Sequence, residues 1–200
     1  NKKPLIAYSI EAALKSKLIT RVIVSTDSVK ILNIAKKYGA EVPFLRPKKL
    51  CASKTSLKDV CKHAVKFIEI KENIKIKEVM ALQPTSPLRT SSDIDNSIKI
   101  FKRKKADFLT STSKTKPIEW NCYIRKDSSL FSVTKEKILS SQELRQTLIL
   151  NGAIYIYSKN FLCNKNFFTK KTYTYIMPTN RSIDIDVLDE FKYAEFVLSK

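Results

Sequence analysis

The chain has 200 residues, a formal net charge of +19 at pH 7 and only two glycines. This length is typical of a single domain with a sizeable core, and a hydrophobic fraction of 43% is too high for a disordered chain. No apolar run reaches the roughly 20 residues of a membrane-spanning helix. Gly39 and Gly152 lie far apart, which excludes a glycine-rich phosphate-binding loop within these residues, because such a loop needs several glycines together.

The basic residues, most of them lysines, are spread along the whole chain. Nucleic-acid-binding surfaces usually combine clustered basic residues with aromatic or arginine side chains. We therefore favour a solvated lysine-rich surface over a nucleic-acid site. A nucleic-acid-binding protein would show steep salt-dependent binding to DNA or RNA, and a flat titration at low salt would exclude this class.

Cysteines occur at positions 51, 61, 122 and 163, and the one histidine is His63. Their spacing fits neither a zinc site nor a disulfide framework, so we expect reduced thiols in a cytoplasmic protein. Nothing near His63 supports nucleophilic catalysis.

Apolar periodicity predicts helices and strands that alternate along the chain. Helical spacing and capping residues predict helices over 5–18, over 28–38, after a cap at Thr55 or Ser56, after a capping box of Ser92 and Asp95, and over 188–198. Short apolar or β-branched runs predict strands over 21–25, 42–45, 78–82, 107–111, 153–157 and 173–177. The alternation fails over 114–150, where we expect hairpins and loops. This pattern predicts an α/β fold whose sheet is mostly parallel, with helices on both faces.

Residues 182–186 read Ser-Ile-Asp-Ile-Asp. In a strand, Asp184 and Asp186 would lie on one face, about 7 Å apart at Cα. Two carboxylates on one face can hold a hard cation such as Mg²⁺. The equally weighted alternative is that Asp186 caps the last helix and Asp184 is a surface residue.

Residues 83–89 follow the predicted strand at 78–82, at the edge where open α/β sheets bind ligands. Gln83 can read a base edge, and Thr85 or Ser86 can bond phosphate or ribose. The alternative is a two-proline loop whose polar groups only satisfy the backbone. Asp27 follows the strand at 21–25 in the same way, either as a ligand or as a helix cap.

Six segments, in this order and spacing, closely resemble the acylneuraminate cytidylyltransferases (CMP-sialic acid synthetases). They are KPLIAYSIEAALKS, RVIVSTDS, AKKYGAEVPFLRP, LQPTSPLRT with SSDID, NGAIYI and SIDID. The resemblance covers almost the whole chain and is weakest over 114–150. It implies a nucleotide-diphospho-sugar transferase-like sheet, with residues 1–200 as one cytidylyltransferase-like domain. It also implies a homodimer, with 114–150 as a dimerisation excursion.

The resemblance implies a Mg²⁺-dependent reaction that joins CTP to a nonulosonic (sialic-type) acid and releases pyrophosphate. By motif, Asp184 and Asp186 match the metal-holding, catalytic aspartates. The positions assigned to the sugar acid are Gln83, Thr85, Ser86, Arg89, Asn151 and Gly152, and those assigned to the nucleotide are Arg46, Asp27 and Thr55.

The chain also departs from the family pattern. A leading strand and a loop of the type ARxGSKxxPxKN do not occur within residues 1–200, so we expect these residues alone to have little activity. Gapless alignment places Ser141 and Ile149 where relatives carry arginines, whereas a shifted alignment would let Arg145 substitute. These departures leave a second hypothesis, a non-catalytic relative that keeps the fold.

Overall fold

The computed structural model describes residues 3–124, 126–134 and 146–199. Its strands are β1 (Glu78–Ala81), β2 (Phe108–Thr115), β3 (Cys122–Ile124), β4 (Leu130–Ser132), β5 (Thr147–Ser158) and β6 (Thr172–Ile176). Its helices are α1 (Leu5–Leu14), α2 (Val29–Lys37), α3 (Leu57–Glu72), α4 (Ser91–Lys104) and α5 (Leu188–Leu198).

The central sheet has four strands in the order β1-β5-β2-β6, and β3 and β4 form a separate hairpin. Strand β5 is antiparallel to both of its neighbours, whereas β2 and β6 are parallel. Three of the four strands therefore run in one direction. The predicted α/β fold with a mainly parallel sheet is confirmed, and β5 is its reversed strand.

Alternate residues of the central strands pack into two different cores. Leu109 and Ile156 contact the core beneath α1 and α4, whereas Phe108 and Tyr157 contact the core beneath α3. Because side chains of a strand alternate between the two faces of a sheet, the helices cover both faces, as predicted. No helix in the described part of the chain is long and apolar enough to cross a membrane.

The capping box of α4 differs from the predicted pair, Ser92 and Asp95. The Oγ1 of Thr90 accepts from the backbone N–H of Asp93 at 3.2 Å, and Asp93 Oδ2 accepts from the Thr90 N–H at 2.9 Å. The Asp95 carboxylate instead accepts hydrogen bonds from Ser16 and from the backbone of residues 17 and 18. These contacts occupy the chain just after α1, so this helix ends at Leu14 and not at residue 18.

Two of the predicted strands, 21–25 and 42–45, do not form regular strands. Ile23 instead forms a single parallel bridge with Glu41, the residue just before 42–45, and the Glu41 N–H donates to the Val22 carbonyl at 2.8 Å. Pro43 lies two residues after Glu41, and proline has no N–H with which to continue the ladder. The chain next pairs at Arg46, whose N–H donates to the Thr26 carbonyl at 2.8 Å.

The stretch 114–150 contributes partly to the sheet. Residues 147–150 of β5 pair with 112–115 of β2, so both strands are longer than the sequence pattern predicts. The hairpin of β3 and β4 confirms the expected change of architecture in this stretch. Ser141 and Arg145, on which the arginine alignment depends, lie outside the described residues.

An aromatic stack on the α3 face gives a test of the fold. Phe108 is fully buried, and its ring stacks on Tyr157 at 5.0 Å and on Phe161 at 5.2 Å between ring centres. We expect Phe108→Ala to lower the free energy of unfolding by about 3–5 kcal/mol, because it opens a cavity in the core. Urea titration followed by circular dichroism measures this loss. Phe168→Ala is the matched control, and an equal loss there, where the ring is 66% exposed, would contradict the prediction.

Candidate active site

A register break in β5 creates the backbone feature around which the candidate site is built. Thr110 pairs with Tyr155 and Thr112 pairs with Leu150, so residues 151–154 of β5 stand opposite Ser111 alone. Gly152 has a φ of +69°, a left-handed conformation that a side chain would strain. The bulge is stabilised by the Ser111 hydroxyl, whose oxygen accepts from the Ile154 N–H at 2.8 Å.

The side chains of Gln83 and Asp184 converge on this bulge. A Cβ added to Gly152 would lie 2.3 Å from Asp184 Oδ2 and 3.1 Å from Gln83 Oε1. Three residues from three separate sequence motifs are therefore neighbours: Gln83 after β1, Gly152 in β5 and Asp184 after β6. The close approach of both side chains requires that residue 152 has no side chain.

Asn151 connects the bulge to the loop that carries Asp184. This residue is 4% exposed, and its Oδ1 accepts from the Ser111 hydroxyl at 2.6 Å while its Nδ2 donates to the Ser182 hydroxyl at 3.0 Å. The Ser182 hydroxyl in turn donates to the Pro178 carbonyl at 2.8 Å. Asn151 thus links the sheet to a residue only two positions before Asp184.

Residues 182–186 do not form a strand, so the alternation that would place Asp184 and Asp186 on one face does not apply. The Ile185 N–H donates to the Thr85 carbonyl at 2.9 Å, and the Asp186 N–H donates to Glu190 Oε2 at 2.7 Å. The segment is therefore held by a loop and by a side chain, with no neighbouring strand to build a ladder. Glu190 also accepts from the backbone N–H of residue 187. The side chain that caps the free N–H groups before α5 is therefore that of Glu190 and not that of Asp186.

The two aspartates have different surroundings. Asp184 is half-buried, and its Oδ1 is shielded from solvent and has no hydrogen-bond partner. Asp186 is exposed. A shielded carboxylate oxygen without a donor is costly, and a cation or a substrate donor could satisfy it. Burial raises the pKa of the Tyr155 hydroxyl, and the negative charge of Asp184 raises this pKa further.

Ser86 and Arg89, in the loop 83–89, direct their polar atoms into the protein. The Ser86 hydroxyl donates to the Asn151 carbonyl at 3.4 Å. The Arg89 guanidinium, in a residue 3% exposed, donates to the Ala153 carbonyl and to the Ser9 hydroxyl, each at 2.6 Å. Burial lowers the pKa of Arg89 to about 10. These contacts hold the loop against the bulge, and the assignment of Ser86 and Arg89 to the sugar acid stays a prediction.

Two of the three residues predicted at the nucleotide, Arg46 and Asp27, lie beside one another. The backbone hydrogen bond between Arg46 and Thr26 places Arg46 beside Asp27, and Asp27 lies within hydrogen-bonding reach of the exposed thiol of Cys51. The Nε of Arg46 is shielded from solvent and has no partner. Thr55 is half-buried just before α3, where Ser56 is the residue that caps the helix.

Sequence reasoning missed Ser111 and the part that Ser182 plays in the site. A signal was present in β2, where four consecutive hydroxyl residues are buried in the middle of the sheet: Thr110, Ser111, Thr112 and Ser113. Buried polar side chains need hydrogen-bond partners. A run of them in a central strand therefore indicates a hydrogen-bonding network, although it does not name the partners.

Comparisons with known proteins agree with the resemblance in the sequence. A family profile described as cytidylyltransferase matches residues 1–196. An N-acylneuraminate cytidylyltransferase of Escherichia coli is 34% identical over 99% of this chain, and the chain spans 46% of that protein's length. A CMP-N,N'-diacetyllegionaminic acid synthase of Legionella pneumophila is 33% identical over 92% of this chain and 80% of its own length.

A solved structure also has the same fold. The structure of CMP:2-keto-3-deoxy-manno-octonic acid synthetase in complex with CTP matches with a TM-score of 0.65, over 98% of this chain and 88% of that chain. The two sequences are 14% identical, so this likeness concerns the fold alone.

The two glycines provide a test of the geometry at the bulge. We expect Gly152→Ala to displace the Asp184 carboxylate, because the new methyl group would occupy its position. Both Gly152→Ala and the matched control Gly39→Ala place a side chain at positive φ, at a cost of about 1–2 kcal/mol each. The new Cβ in the control would meet only the Leu14 side chain, at 3.2 Å. Thermal unfolding measures the shared cost, and crystal structures of the variants locate Asp184. An undisturbed Asp184 in Gly152→Ala would contradict the assigned geometry.

Proposed function

Because the chain belongs to the cytidylyltransferase family, we propose that it transfers CMP from CTP to a nonulosonic acid of the sialic type. The observation that carries this proposal is the convergence of Gln83, Gly152 and Asp184 from three motifs of the family resemblance. The relatives named for N-acylneuraminate and for diacetyllegionaminic acid support the same class of sugar acid.

In the proposed reaction, the anomeric hydroxyl oxygen of the sugar acid attacks the α-phosphorus of CTP. A new P–O bond forms, the bond to the bridging oxygen of the β-phosphate breaks, and pyrophosphate leaves with that electron pair. The hydroxyl proton passes to solvent. Gln83, beside Asp184, would orient the sugar acid through its side-chain amide, and Arg46 would bind the nucleotide. The net charge of +19 would attract both anionic substrates.

The residues at the bulge fit a hard divalent cation, and we propose Mg²⁺. Asp184 Oδ1 is shielded and lacks a donor, the Asp186 carboxylate is exposed nearby in the chain, and carboxylate oxygens are the ligands that Mg²⁺ prefers. Nowhere in residues 3–124, 126–134 and 146–199 do three or more His, Cys, Asp or Glu side chains form a metal cluster. The proposed ion would be held by the carboxylates of Asp184 and Asp186 together with substrate oxygens. When bound, Mg²⁺ would offset the negative charge that develops on the phosphates.

We propose that the active form is a cytoplasmic homodimer that pairs through the excursion at 114–150. The hairpin of β3 and β4 supports this proposal, because it exposes large apolar side chains: Tyr123 is 55% exposed, Ile124 71% and Leu130 68%. Surfaces of this kind usually mark interfaces between proteins.

One observation favours the second candidate function, a non-catalytic relative. Ile149, at a position where relatives carry arginine in a gapless alignment, lies in β5 and is 54% exposed. An isoleucine cannot form the charge-assisted contacts that arginine makes with a carboxylate.

The test is a pyrophosphate-release assay on the full natural protein with CTP, MgCl₂ and N-acetylneuraminate or diacetyllegionaminate. We expect turnover that requires both substrates and the cation. Asp184→Asn should lower kcat by about 100-fold or more, because it removes a charge that acts on the transition state. Asp107→Asn is the matched control, since Asp107 is also half-buried but lies just before β2, four residues ahead of Ser111 at the bulge.

Retained activity in Asp184→Asn would refute the role of this residue. A wild-type protein that binds CTP but shows no turnover with either sugar acid would support the non-catalytic relative.

A further inference from the structure

The loop between β6 and α5 has almost no regular structure, although it carries both aspartates of the candidate site. Its one helical element is the three-residue 3-10 turn Thr179–Arg181. Side-chain and loop contacts must therefore fix the position of Asp184. Two of them are described above, from Asn151 to Ser182 and from Ile185 to Thr85, and both involve uncharged groups.

The third contact is an ion pair with a buried partner. The Arg181 guanidinium donates to Asp93 through two nitrogens, from Nη2 to Oδ1 at 2.7 Å and from Nε to Oδ2 at 3.3 Å. The Asp93 side chain is 1% exposed, whereas that of Arg181 is 33% exposed. A planar guanidinium that engages both oxygens fixes orientation as well as distance.

The remaining hydrogen bonds of Asp93 connect it to rigid elements. Its carboxylate accepts from the N–H and hydroxyl of Thr90 at the start of α4, at 2.9 and 2.7 Å. It also accepts from the Tyr175 hydroxyl of β6 at 2.9 Å. Burial alone would raise the pKa of Asp93, but the hydrogen bonds from Arg181, Thr90 and Tyr175 outweigh it and hold the pKa below its usual range. The carboxylate is therefore an ionised, fixed point between a helix and the sheet.

We propose that Arg181 is a positioning residue, which uses the buried carboxylate of Asp93 to hold the Asp184 loop in place for cation binding. The inference rests on the proposed function. Arg181 lies three residues before Asp184, so the ion pair sets where the loop leaves the 3-10 turn. The Asn151 and Thr85 contacts then fix the next four residues. Without the ion pair, the residues before Asp184 would be tied to the sheet only by the neutral contact of Ser182 with Asn151, although Glu190 still holds the backbone after Asp184. The Asp184 carboxylate could then move away from Gln83 and Gly152.

The experiment compares Arg181→Ala and Arg181→Lys with the matched control Tyr175→Phe. The control also removes a hydrogen bond to Asp93, but from β6 and not from the loop. Three quantities are measured on the full protein: amide hydrogen exchange of the 178–187 segment, binding of Mn²⁺ alone by electron paramagnetic resonance, and kcat and KM in the pyrophosphate assay. We expect Arg181→Ala to exchange faster at Ile185, to bind Mn²⁺ about tenfold more weakly and to lose about 10–100-fold in kcat, because residues that orient metal ligands have effects of this size.

The KM for CTP should stay within about twofold of wild type, since the lost contact does not bind the nucleotide. Arg181→Lys keeps the positive charge but cannot donate through two nitrogens of one planar group, so it should give intermediate values. This variant replaces Arg181→Ala in the test if the alanine variant does not fold. Tyr175→Phe should leave exchange at Ile185 and Mn²⁺ binding unchanged. Equal effects in Tyr175→Phe and the Arg181 variants, in proportion to lost stability, would overturn the inference, as would unchanged exchange and Mn²⁺ binding in Arg181→Ala. A wild-type protein without turnover would refute the proposed function, whereas exchange and Mn²⁺ binding would still decide the role of Arg181.

Discussion

The register break in β5 is the constraint on which the candidate site depends. A strand that kept its ladder with β2 would direct residues 151–154 alternately into the two cores. The break instead withdraws these residues from regular pairing, and Ser111 satisfies the freed backbone and side-chain groups. Gly152 supplies a left-handed conformation at no steric cost. The space beside its Cα is occupied by the side chains of Gln83, which precedes Gly152 in the chain, and of Asp184, which follows it.

The site is held together mainly by groups that carry no charge. Serine hydroxyls, an asparagine amide and backbone carbonyls connect β2, β5 and the loop after β6. Two charged side chains are also buried in the surrounding structure, Arg89 and Asp93. Each has hydrogen-bond partners, which a buried charge requires: Asp93 accepts from Thr90, Tyr175 and Arg181, and the terminal nitrogens of Arg89 donate to Ala153 and Ser9. The abundant surface lysines take no part in these contacts, so the large net charge tells little about how the site is built.

Sequence reasoning predicted the elements better than their ends and their connections. Apolar periodicity located α2, α3 and β6 closely, because each packs one face against a core. The capping-box pattern misplaced the cap of α4, since Ser92 and Asp95 offer the same combination of a hydroxyl and a carboxylate, at the same spacing, as Thr90 and Asp93. Only the tertiary contacts of Asp95 distinguish the two pairs. The alternation of Ile and Asp at 182–186 would place both aspartates on one face of a strand, but alternating residues form no strand where no neighbour offers hydrogen bonds. The meeting of Gln83, Gly152 and Asp184 could be expected only from the family resemblance, since periodicity carries no information about long-range contacts.

The strand order has a consequence for how the molecule folds. No two strands that are paired in the four-stranded sheet are consecutive in the chain. Strand β1 pairs with β5, and β2 pairs with both β5 and β6. Every pairing must close a long loop before it gains any hydrogen bonds, and folding slows as such distant contacts dominate. During synthesis, the first strand pairs of this sheet therefore cannot form until β5 has been made. The Asp184 loop follows β6 and so is synthesised after every strand of the sheet to which it binds.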